Sequence, residues 1–422
     1  MTPTQLAPAF FLAVVVVLVV CRVVGLLLRL IGQPPVVGEM VAGVVLGPSV
    51  FGALLPGASA ELFPPQLRPV LYVVGQIGLV AFMFRAGWEF RVDRLGAVAR
   101  SAGLVSLAGV LVPLLLGAGL TWAAAGNPAL FSPDTPVLVS VLFVGVALSI
   151  TAFPMLARII TERGLSDTRF GTLAMGSGAI DDAVAWVLLA GVLSIAAGSA
   201  GPVALAVGGS ALLVVGLALA LRSRPRTVAL AERIGAEDLL LVVLGVLFLI
   251  AWYTDTIGLY AVFGAFSLGV VFPRSERLDR AVESLRPVGA LFLPLFFTYS
   301  GLNTDFALLG SVEALVFTVV CVLLAVAGKF GACWMAARLV GEPQPVALRV
   351  GALMNARGLM QLIAINVGLA AGIVTPALFS ALVVVALVTT IMATPLLALF
   401  DRRDRARGTV VADEVTGVPT RG

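Results

Sequence analysis

The chain has 422 residues, of which 60% are hydrophobic and only 12% are charged, and its formal net charge is +4. A soluble protein of this length could not remove so much apolar surface from water, so the composition excludes a soluble domain and predicts an all-α polytopic membrane protein. The three cysteines lie in apolar segments without metal-ligand spacing, and we expect neither a disulfide framework nor a cofactor.

Apolar stretches of about 17–25 residues, separated by short charged loops, predict about thirteen membrane-spanning helices. In chain order, the predicted spans cover residues 7–31, 35–55, 69–88, 102–124, 136–158, 170–197, 202–221, 237–253, 257–273, 288–304, 314–337, 346–370 and 375–399. The first span lacks the marks of a cleaved signal peptide, so we expect it to be retained. Residues 1–400 thus form a membrane domain, and the polar residues 401–422 are expected to be a disordered cytoplasmic tail.

Arginine accumulates in alternate loops between the predicted spans, as the positive-inside rule requires of cytoplasmic loops. The loops after the odd-numbered spans hold nearly all of the loop arginines, whereas the opposite loops hold only Arg68. This asymmetry predicts a multi-pass protein of the plasma membrane with its N-terminus outside and its C-terminus in the cytoplasm. The positive net charge then reflects orientation in the lipid bilayer, and no nucleic-acid partner is expected.

The fifth predicted span carries a helix-breaking segment at its centre, SITAFP, which covers residues 149–154. Pro154 has no amide hydrogen, and its ring collides with the carbonyl of Ile150, so the helix is expected to break there. The break would free backbone carbonyls beside the hydroxyls of Ser149 and Thr151. Hydroxyl and carbonyl oxygens are ligands that hard cations prefer.

The twelfth predicted span holds a second polar interruption, around Asn355, Arg357 and Gly358. If the chain is read as six spans, a linking span and six more, the two breaks fall at corresponding positions of two inverted repeats, which is typical of a transporter. Arg357 either takes part in ion gating or only satisfies carbonyls that the break exposes. Glu39, near the cytoplasmic end of the second span, is a possible site residue, although a local polar contact explains it equally well.

Lys329 is the single lysine of the chain and lies in the middle of the eleventh span, while Asp181 and Asp182 are adjacent in the sixth. An ionisable residue at the bilayer centre costs roughly 2.5–3.5 kcal/mol, and such residues usually mark an ion or proton pathway. Neighbours on a helix point about 100° apart, so one aspartate can pair with Lys329 while the other faces a cavity. Because the chain has no histidine, proton exchange near neutral pH would have to use these groups.

Several functions are compatible with two buried acids and one buried amine. The three groups could exchange a hard cation for protons, form a static ion pair, or drive efflux of an organic compound, and a passive channel is a further alternative. An intramembrane aspartyl protease is not expected, because its two carboxylates face each other from different helices, whereas Asp181 and Asp182 are adjacent on one.

The segments that carry these residues resemble the monovalent cation:proton antiporter-2 family, which includes bacterial Na⁺/H⁺ exchangers and K⁺ efflux systems. The matching segments, in chain order, are GQPPVVGEMVAGVVLGPS, GLVAFMFRAGWEF, ALSITAFPMLAR, GAIDDAVAW, LPLFFTYSGLNTDF, KFGACWMAARLVG and LMNARGLMQLI. The resemblance implies a homodimeric, thirteen-helix fold of two inverted repeats with two interrupted helices that cross. Predicted spans 1–3 and 8–10 would form the dimer scaffold, and spans 4–6 and 11–13 an ion-binding core that moves.

The resemblance also assigns roles to the buried charges. Asp182 would be the carboxylate that binds the monovalent cation, with Thr151 as a further ligand, and Asp181 would pair with Lys329. The implied activity is exchange of protons for a cation, with Na⁺ favoured and K⁺ as the second choice, by alternating access. Retention of both aspartates and the lysine resembles the electrogenic members, which move two protons per cation.

Overall fold

The computed structural model describes residues 3–90, 98–166, 168–198 and 201–406, and these residues form helices but no strand. The predicted all-α fold class is thereby confirmed. A short π-helix at Pro48–Gly52 and a 3₁₀ helix at Phe306–Leu309 accompany the α-helices. The α-helices, numbered in chain order, are α1 (Pro3–Leu30), α2 (Pro35–Leu46), α3 (Pro56–Leu62), α4 (Arg68–Glu89), α5 (Ala99–Ala124), α6 (Val137–Ser149), α7 (Phe153–Glu162), α8 (Arg169–Ala196), α9 (Gly201–Arg222), α10 (Arg224–Ala231), α11 (Ala236–Thr256), α12 (Tyr260–Val271), α13 (Glu276–Glu283), α14 (Arg286–Leu302), α15 (Val312–Leu339), α16 (Gln344–Met354), α17 (Leu359–Ala370) and α18 (Pro376–Ala406).

Among the described residues, fewer helices are long and apolar enough to cross a membrane than the thirteen that the sequence predicts. Within the described residues, ten helical segments are long and apolar enough to cross a membrane, or eleven if the segment formed by α9 and α10, bent by 65°, counts as one span. The predicted spans 136–158 and 257–273 contain the shorter apolar helices α6 and α12, of 13 and 12 residues. At 1.5 Å per residue, helices of this length fall well short of a hydrocarbon core of about 30 Å. The predicted number of thirteen is therefore not confirmed.

Contacts within the chain define two compact units. Unit 1 comprises Met1–Val24, Ala42–Val92 and Ala190–Leu302. Unit 2 comprises Gly25–Val41, Asp93–Leu189 and Asn303–Gly422. All of the interrupted helices and all of the buried charged residues singled out in the sequence belong to unit 2.

Unit 1 is held together by helices whose backbones touch at glycines. A Cβ atom added to Gly301 of α14 would lie 1.9 Å from the carbonyl oxygen of Gly43 in α2. One added to Gly87 of α4 would lie 2.1 Å from the carbonyl oxygen of Phe266 in α12. Small residues allow this close approach, which takes the place of hydrophobic association when the surrounding solvent is lipid.

Helices α16 and α17 form the most deeply buried of the ten candidate spans among the described residues. In the apolar 18-residue stretch of Gln344–Ala370, 94% of the stretch is buried inside the protein. The buried share of the corresponding stretch in the other spans lies between 17% and 56%. Non-helical backbone is tolerated at membrane depth only where protein or water covers it. The break between α16 and α17 therefore lies where its polar groups are shielded from lipid.

The last helix extends beyond the predicted membrane domain. Helix α18 continues to Ala406, so the first residues of the predicted tail are helical, and residues 407–422 lie outside the described part of the chain. Arg349 of α16 fixes this end, with Nη2 2.8 Å from Asp401 and Nη1 2.6 Å from Asp404. The ion pairs explain why the helix does not end at residue 400.

Candidate ion-binding site

Both predicted interruptions are present, and they meet each other. Helix α6 ends at Ser149 and α7 begins at Phe153, and α16 ends at Met354 and α17 begins at Leu359. The backbone N–H of Ala152 in the first break donates to the carbonyl oxygen of Ala356 in the second, with an N···O distance of 3.2 Å. The two broken helices thus contact at the level of their breaks.

The residues that make the breaks act through the backbone. Pro154 is the second residue of α7, where a missing amide hydrogen is no loss because the first helical N–H groups have no partner. Its side chain is outside the described set. Gly358 has φ 131° and ψ −116°, a conformation that other residues rarely adopt, and an added Cβ would lie 3.2 Å from the sulfur of Met40.

Lys329 of α15 is completely buried and forms an ion pair with Asp181 of α8, with 2.7 Å between Nζ and Oδ2. Its ammonium group also donates to the carbonyl oxygens of Gly109 and Ser149, at 2.7 and 2.6 Å. An ammonium group has three N–H donors, and each of them has an acceptor here. Ser149 is the last residue of α6, so the cation also lies at the negative end of a helix dipole.

Ser149 and Thr151 are in the site, but they differ in how they contribute. The Ser149 hydroxyl donates to the carbonyl of Val146 in its own helix, so this residue offers its backbone carbonyl rather than its side chain. The Thr151 hydroxyl donates to Oδ2 of Asp181 at 2.6 Å. Oδ2 of Asp181 therefore accepts from both Thr151 and Lys329. Helix α8 packs closely against α7 beside this contact, because a Cβ added to Gly178 would lie 2.6 Å from a methyl carbon of Leu156.

Asp182 is buried beside this pair without a partner of its own. Only 2% of its surface is exposed, and neither carboxylate oxygen has a hydrogen-bond partner among the described residues. Leaving a buried charged group unsatisfied is more costly than the roughly 1–3 kcal/mol of a neutral one. The carboxylate therefore requires a proton, a cation or water to be stable at this position.

Arg357, in the second break, is fully buried and has no ion-pair partner among the described residues. Its Nη1 and Nη2 atoms donate to the carbonyl oxygens of Ala147 and Ala325, at 3.4 and 3.2 Å. Its own carbonyl oxygen lies 2.7 Å from the Thr390 hydroxyl, whose single hydrogen is shared between this oxygen and the carbonyl of Ala386 at 2.6 Å. The guanidinium thus lies against the last turn of α6, which agrees with the carbonyl-satisfying interpretation of this residue.

Two further predicted residues lie near the breaks. Asn355 is fully buried, and both polar atoms of its side chain lack a hydrogen-bond partner in the described part of the chain. Glu39 is half-buried on α2 and precedes Met40, whose sulfur lies beside Gly358. The three hydrogen bonds of the Lys329 ammonium go to Gly109, Ser149 and Asp181.

Two residues of the site were not among those predicted from the sequence. Gly109 of α5 supplies a carbonyl to Lys329, and Thr390 of α18 binds the backbone of Arg357. A signal for Gly109 was present, because Pro113 lies four residues later in the same helix and cannot donate to its carbonyl. A signal for Thr390 was not, since a threonine in an apolar helix usually bonds its own backbone.

The four charges at the breaks balance when all are ionised. Asp181 and Asp182 carry two negative charges, and Lys329 and Arg357 carry two positive ones, all within residues that are at most 2% exposed. Adding one proton or one monovalent cation to Asp182 changes the total charge by the same amount. A buried set of this kind, beside two interrupted helices, defines a membrane transporter rather than an enzyme.

Comparisons with known proteins agree with this class. The family model described as "Sodium/hydrogen exchanger, transmembrane" matches residues 12–400. The Na⁺/H⁺ antiporter NhaS4 of Synechocystis is 34% identical over 398 residues, which are 91% of this chain and 95% of that protein. Cation/H⁺ antiporter 17 of Arabidopsis thaliana is also 34% identical, but the chain spans only 48% of its length. The chain belongs to the sodium/hydrogen exchanger family, which consists of transporters.

A solved structure shows a similar fold. The sodium proton antiporter MjNhaP1 from Methanocaldococcus jannaschii aligns over 99% of this chain with a TM-score of 0.58 and 15% sequence identity. A second structure of that protein, determined by electron microscopy, aligns over 100% of the chain with a TM-score of 0.66. At this identity, the match concerns the fold.

Proposed function

We propose that the chain exchanges protons for a monovalent cation across the plasma membrane, and that Asp182 binds one or the other. The observation that carries this proposal is the carboxylate of Asp182, which is 2% exposed and has no hydrogen-bond partner among the described residues. Asp181 is occupied by Lys329 and Thr151. Asp182 is therefore the acid that is free to take up a transported ion.

The charge balance favours a monovalent ion as the cargo. One proton or one alkali cation neutralises Asp182, and the four buried ionised residues then carry one net positive charge in either case. A proton and an alkali cation can therefore replace each other. A divalent cation would give the site two uncompensated positive charges, and uncompensated charge is costly in the interior of a protein because it is removed from water. A carboxylate that is 2% exposed is also reached more readily by a small ion than by an organic compound.

Na⁺ is the favoured cation and K⁺ the second choice. The NhaS4 protein, of which the chain covers 95%, is named a Na⁺/H⁺ antiporter, while a yeast relative of which the chain covers 46% is named a K⁺/H⁺ antiporter. Alkali cations bind carboxylate, hydroxyl and carbonyl oxygens. Asp182 and Thr151 are the proposed ligands. Asn355, in the second break, has a side-chain amide with no hydrogen-bond partner among the described residues.

The transport cycle is proposed to use alternating access between a scaffold and a moving core. Predicted spans 4, 5 and 11–13 and most of span 6, up to Leu189, fall within unit 2, and most of the remaining spans lie largely in unit 1, which supports unit 2 as the core and unit 1 as the dimer scaffold. The homodimer, the inverted repeats, and the orientation with N-terminus outside and C-terminus inside belong to the same proposal. With two protons per cation, each cycle moves one net charge, worth about 2.3 kcal/mol per 100 mV.

Exchange in proteoliposomes tests the proposal. Purified protein is reconstituted, a pH gradient is imposed, and Na⁺, K⁺, Li⁺, Rb⁺ or choline is added while a pH-sensitive dye reports the gradient. We expect alkali cations to dissipate the gradient and choline to have no effect, and a potential-sensitive dye to report charge movement. A gradient that responds to organic cations but not to alkali cations would favour the organic-efflux alternative, and passive cation flux without proton movement would indicate a channel.

A further inference from the structure

The carbonyl of Gly109, which accepts a hydrogen bond from Lys329, is free because of a proline. In a regular α-helix this carbonyl would accept the backbone N–H of residue 113. Residue 113 is Pro113, inside α5, and proline has no amide hydrogen. The Lys329 ammonium takes the vacant place at 2.7 Å. The sequence of α5 thus provides an acceptor in the middle of an apolar helix.

Helices α5 and α15 approach each other closely at Gly109. A Cβ added to Gly109 would lie 2.6 Å from the sulfur of Cys333 and 3.6 Å from Nζ of Lys329. Any side chain at position 109 would therefore collide with Cys333, which lies one turn after Lys329 in α15. Glycine at 109 and proline at 113 together bring a free carbonyl within hydrogen-bond distance of the ammonium.

A second case of the same chemistry occurs elsewhere in unit 2. Pro395 lies inside α18, so the carbonyl of Ile391 has no helical donor. The side-chain amide of Gln33 donates to it at 2.9 Å. In both places a buried polar side chain uses the carbonyl that a proline has freed, and only at Gly109 is that side chain charged.

We propose that Pro113 is a positioning residue for Lys329, because it keeps the carbonyl of Gly109 available as a fixed acceptor for the ammonium group. This inference rests on the proposed function in one respect: with two protons per cation, the second proton must bind in the buried set beside Asp182. When that proton is on Asp181, Lys329 loses its ionic partner, and the carbonyls of Gly109 and Ser149 hold the ammonium in place. Replacement of Pro113 by an ordinary residue adds an N–H that competes for one of these two acceptors.

A stability cycle tests the assignment independently of transport. Pro113→Ala is introduced into the wild-type chain and into the paired variant Asp181→Asn, Lys329→Met, in which the Gly109 carbonyl has no ammonium to bind. We expect the substitution to lower the unfolding temperature of the wild-type chain by about 2 °C or more, and to raise that of the paired variant, where the new N–H satisfies an orphaned carbonyl. A shift of the same sign in both chains would overturn the proposal, since it would show that Pro113 acts only through packing.

A transport measurement supplies the second readout. The pH dependence of cation-driven exchange is compared for the wild-type chain, Pro113→Ala and the matched control Pro395→Ala. The other titratable or charged groups around the ammonium, which are Asp181, Asp182, Cys333 and Arg357, are unchanged in all three. We expect Pro113→Ala to shift the pH of half-maximal exchange by about one unit and Pro395→Ala to leave it in place. Equal profiles for all three would contradict the proposal, whereas exchange absent from the wild-type chain would contradict the proposed function instead.

Discussion

Replacement of Asp182 by asparagine is expected to reduce cation-driven proton exchange to the level of protein-free vesicles. The amide has nearly the same shape as the carboxylate, but it neither takes up a proton nor neutralises an alkali cation. Because Asp182 is buried without a hydrogen-bond partner among the described residues, removing its charge is also expected to leave the protein folded or to stabilise it. The measurement is the pH-gradient assay, combined with the unfolding temperature of the purified protein.

Asp305→Asn provides the matched control for that result. Asp305 lies in the same unit and accepts the backbone N–H of Ala307 at the start of the 3₁₀ helix, a contact that asparagine also makes. Exchange is expected to continue in this variant at close to the wild-type rate. Normal dissipation of the pH gradient by Na⁺ or K⁺ in Asp182→Asn would assign the transported ion to another group.

Replacement of Lys329 by methionine should have the largest effect on stability. Asp181 would remain fully buried with only Thr151 as a partner, because the ammonium that lies 2.7 Å from its Oδ2 is removed. Breaking a buried ion pair from one side typically costs about 3–5 kcal/mol, since the remaining charge is uncompensated. We expect a large fall in the unfolding temperature and in the yield of folded protein, measured in detergent by a thermal unfolding assay.

The second substitution Asp181→Asn is expected to restore most of that loss. With both charges removed, the asparagine can still accept the Thr151 hydroxyl, and a buried ion pair replaced on both sides is often nearly neutral for stability. Electrogenic exchange should not return, because Asp182 is then the only carboxylate left in the buried set, and one carboxylate can exchange only one proton per cation. Equal destabilisation of the single and the paired variant would show that Lys329 stabilises the protein through its two carbonyl contacts rather than through its charge.

Much of the architecture could be predicted from the sequence, because lipid as a solvent restricts it. Apolar length identifies the helical segments, and the polar segments at 149–154 and around Arg357 identify the breaks. The number of spans could not be obtained in the same way. Hydropathy averages over the break at Ile150–Ala152 and does not register that α6 stops after 13 residues.

The members of the site were predictable as residue types, but their contacts were not. Helix geometry required Asp181 and Asp182 to face different surroundings, and in the structure Asp181 forms an ion pair with Lys329. Ser149 contributes its backbone carbonyl rather than its hydroxyl. This depends on the side-chain rotamer and on the residue at which α6 ends, and hydrophobic periodicity predicts neither. The role of Gly109 depends on the missing hydrogen of Pro113, a local rule that becomes visible only when the acceptor has a partner from another helix.

Proton release on cation binding tests most directly whether a cation and a proton compete for Asp182. Purified protein in a weakly buffered detergent solution is mixed with NaCl or KCl, and a pH indicator follows the solution against a choline chloride control. We predict acidification that saturates with cation concentration in the wild-type chain and in Asp305→Asn, and no acidification in Asp182→Asn. Saturating release of the same size from Asp182→Asn, or cation binding to the wild-type chain without release of protons, would contradict the account.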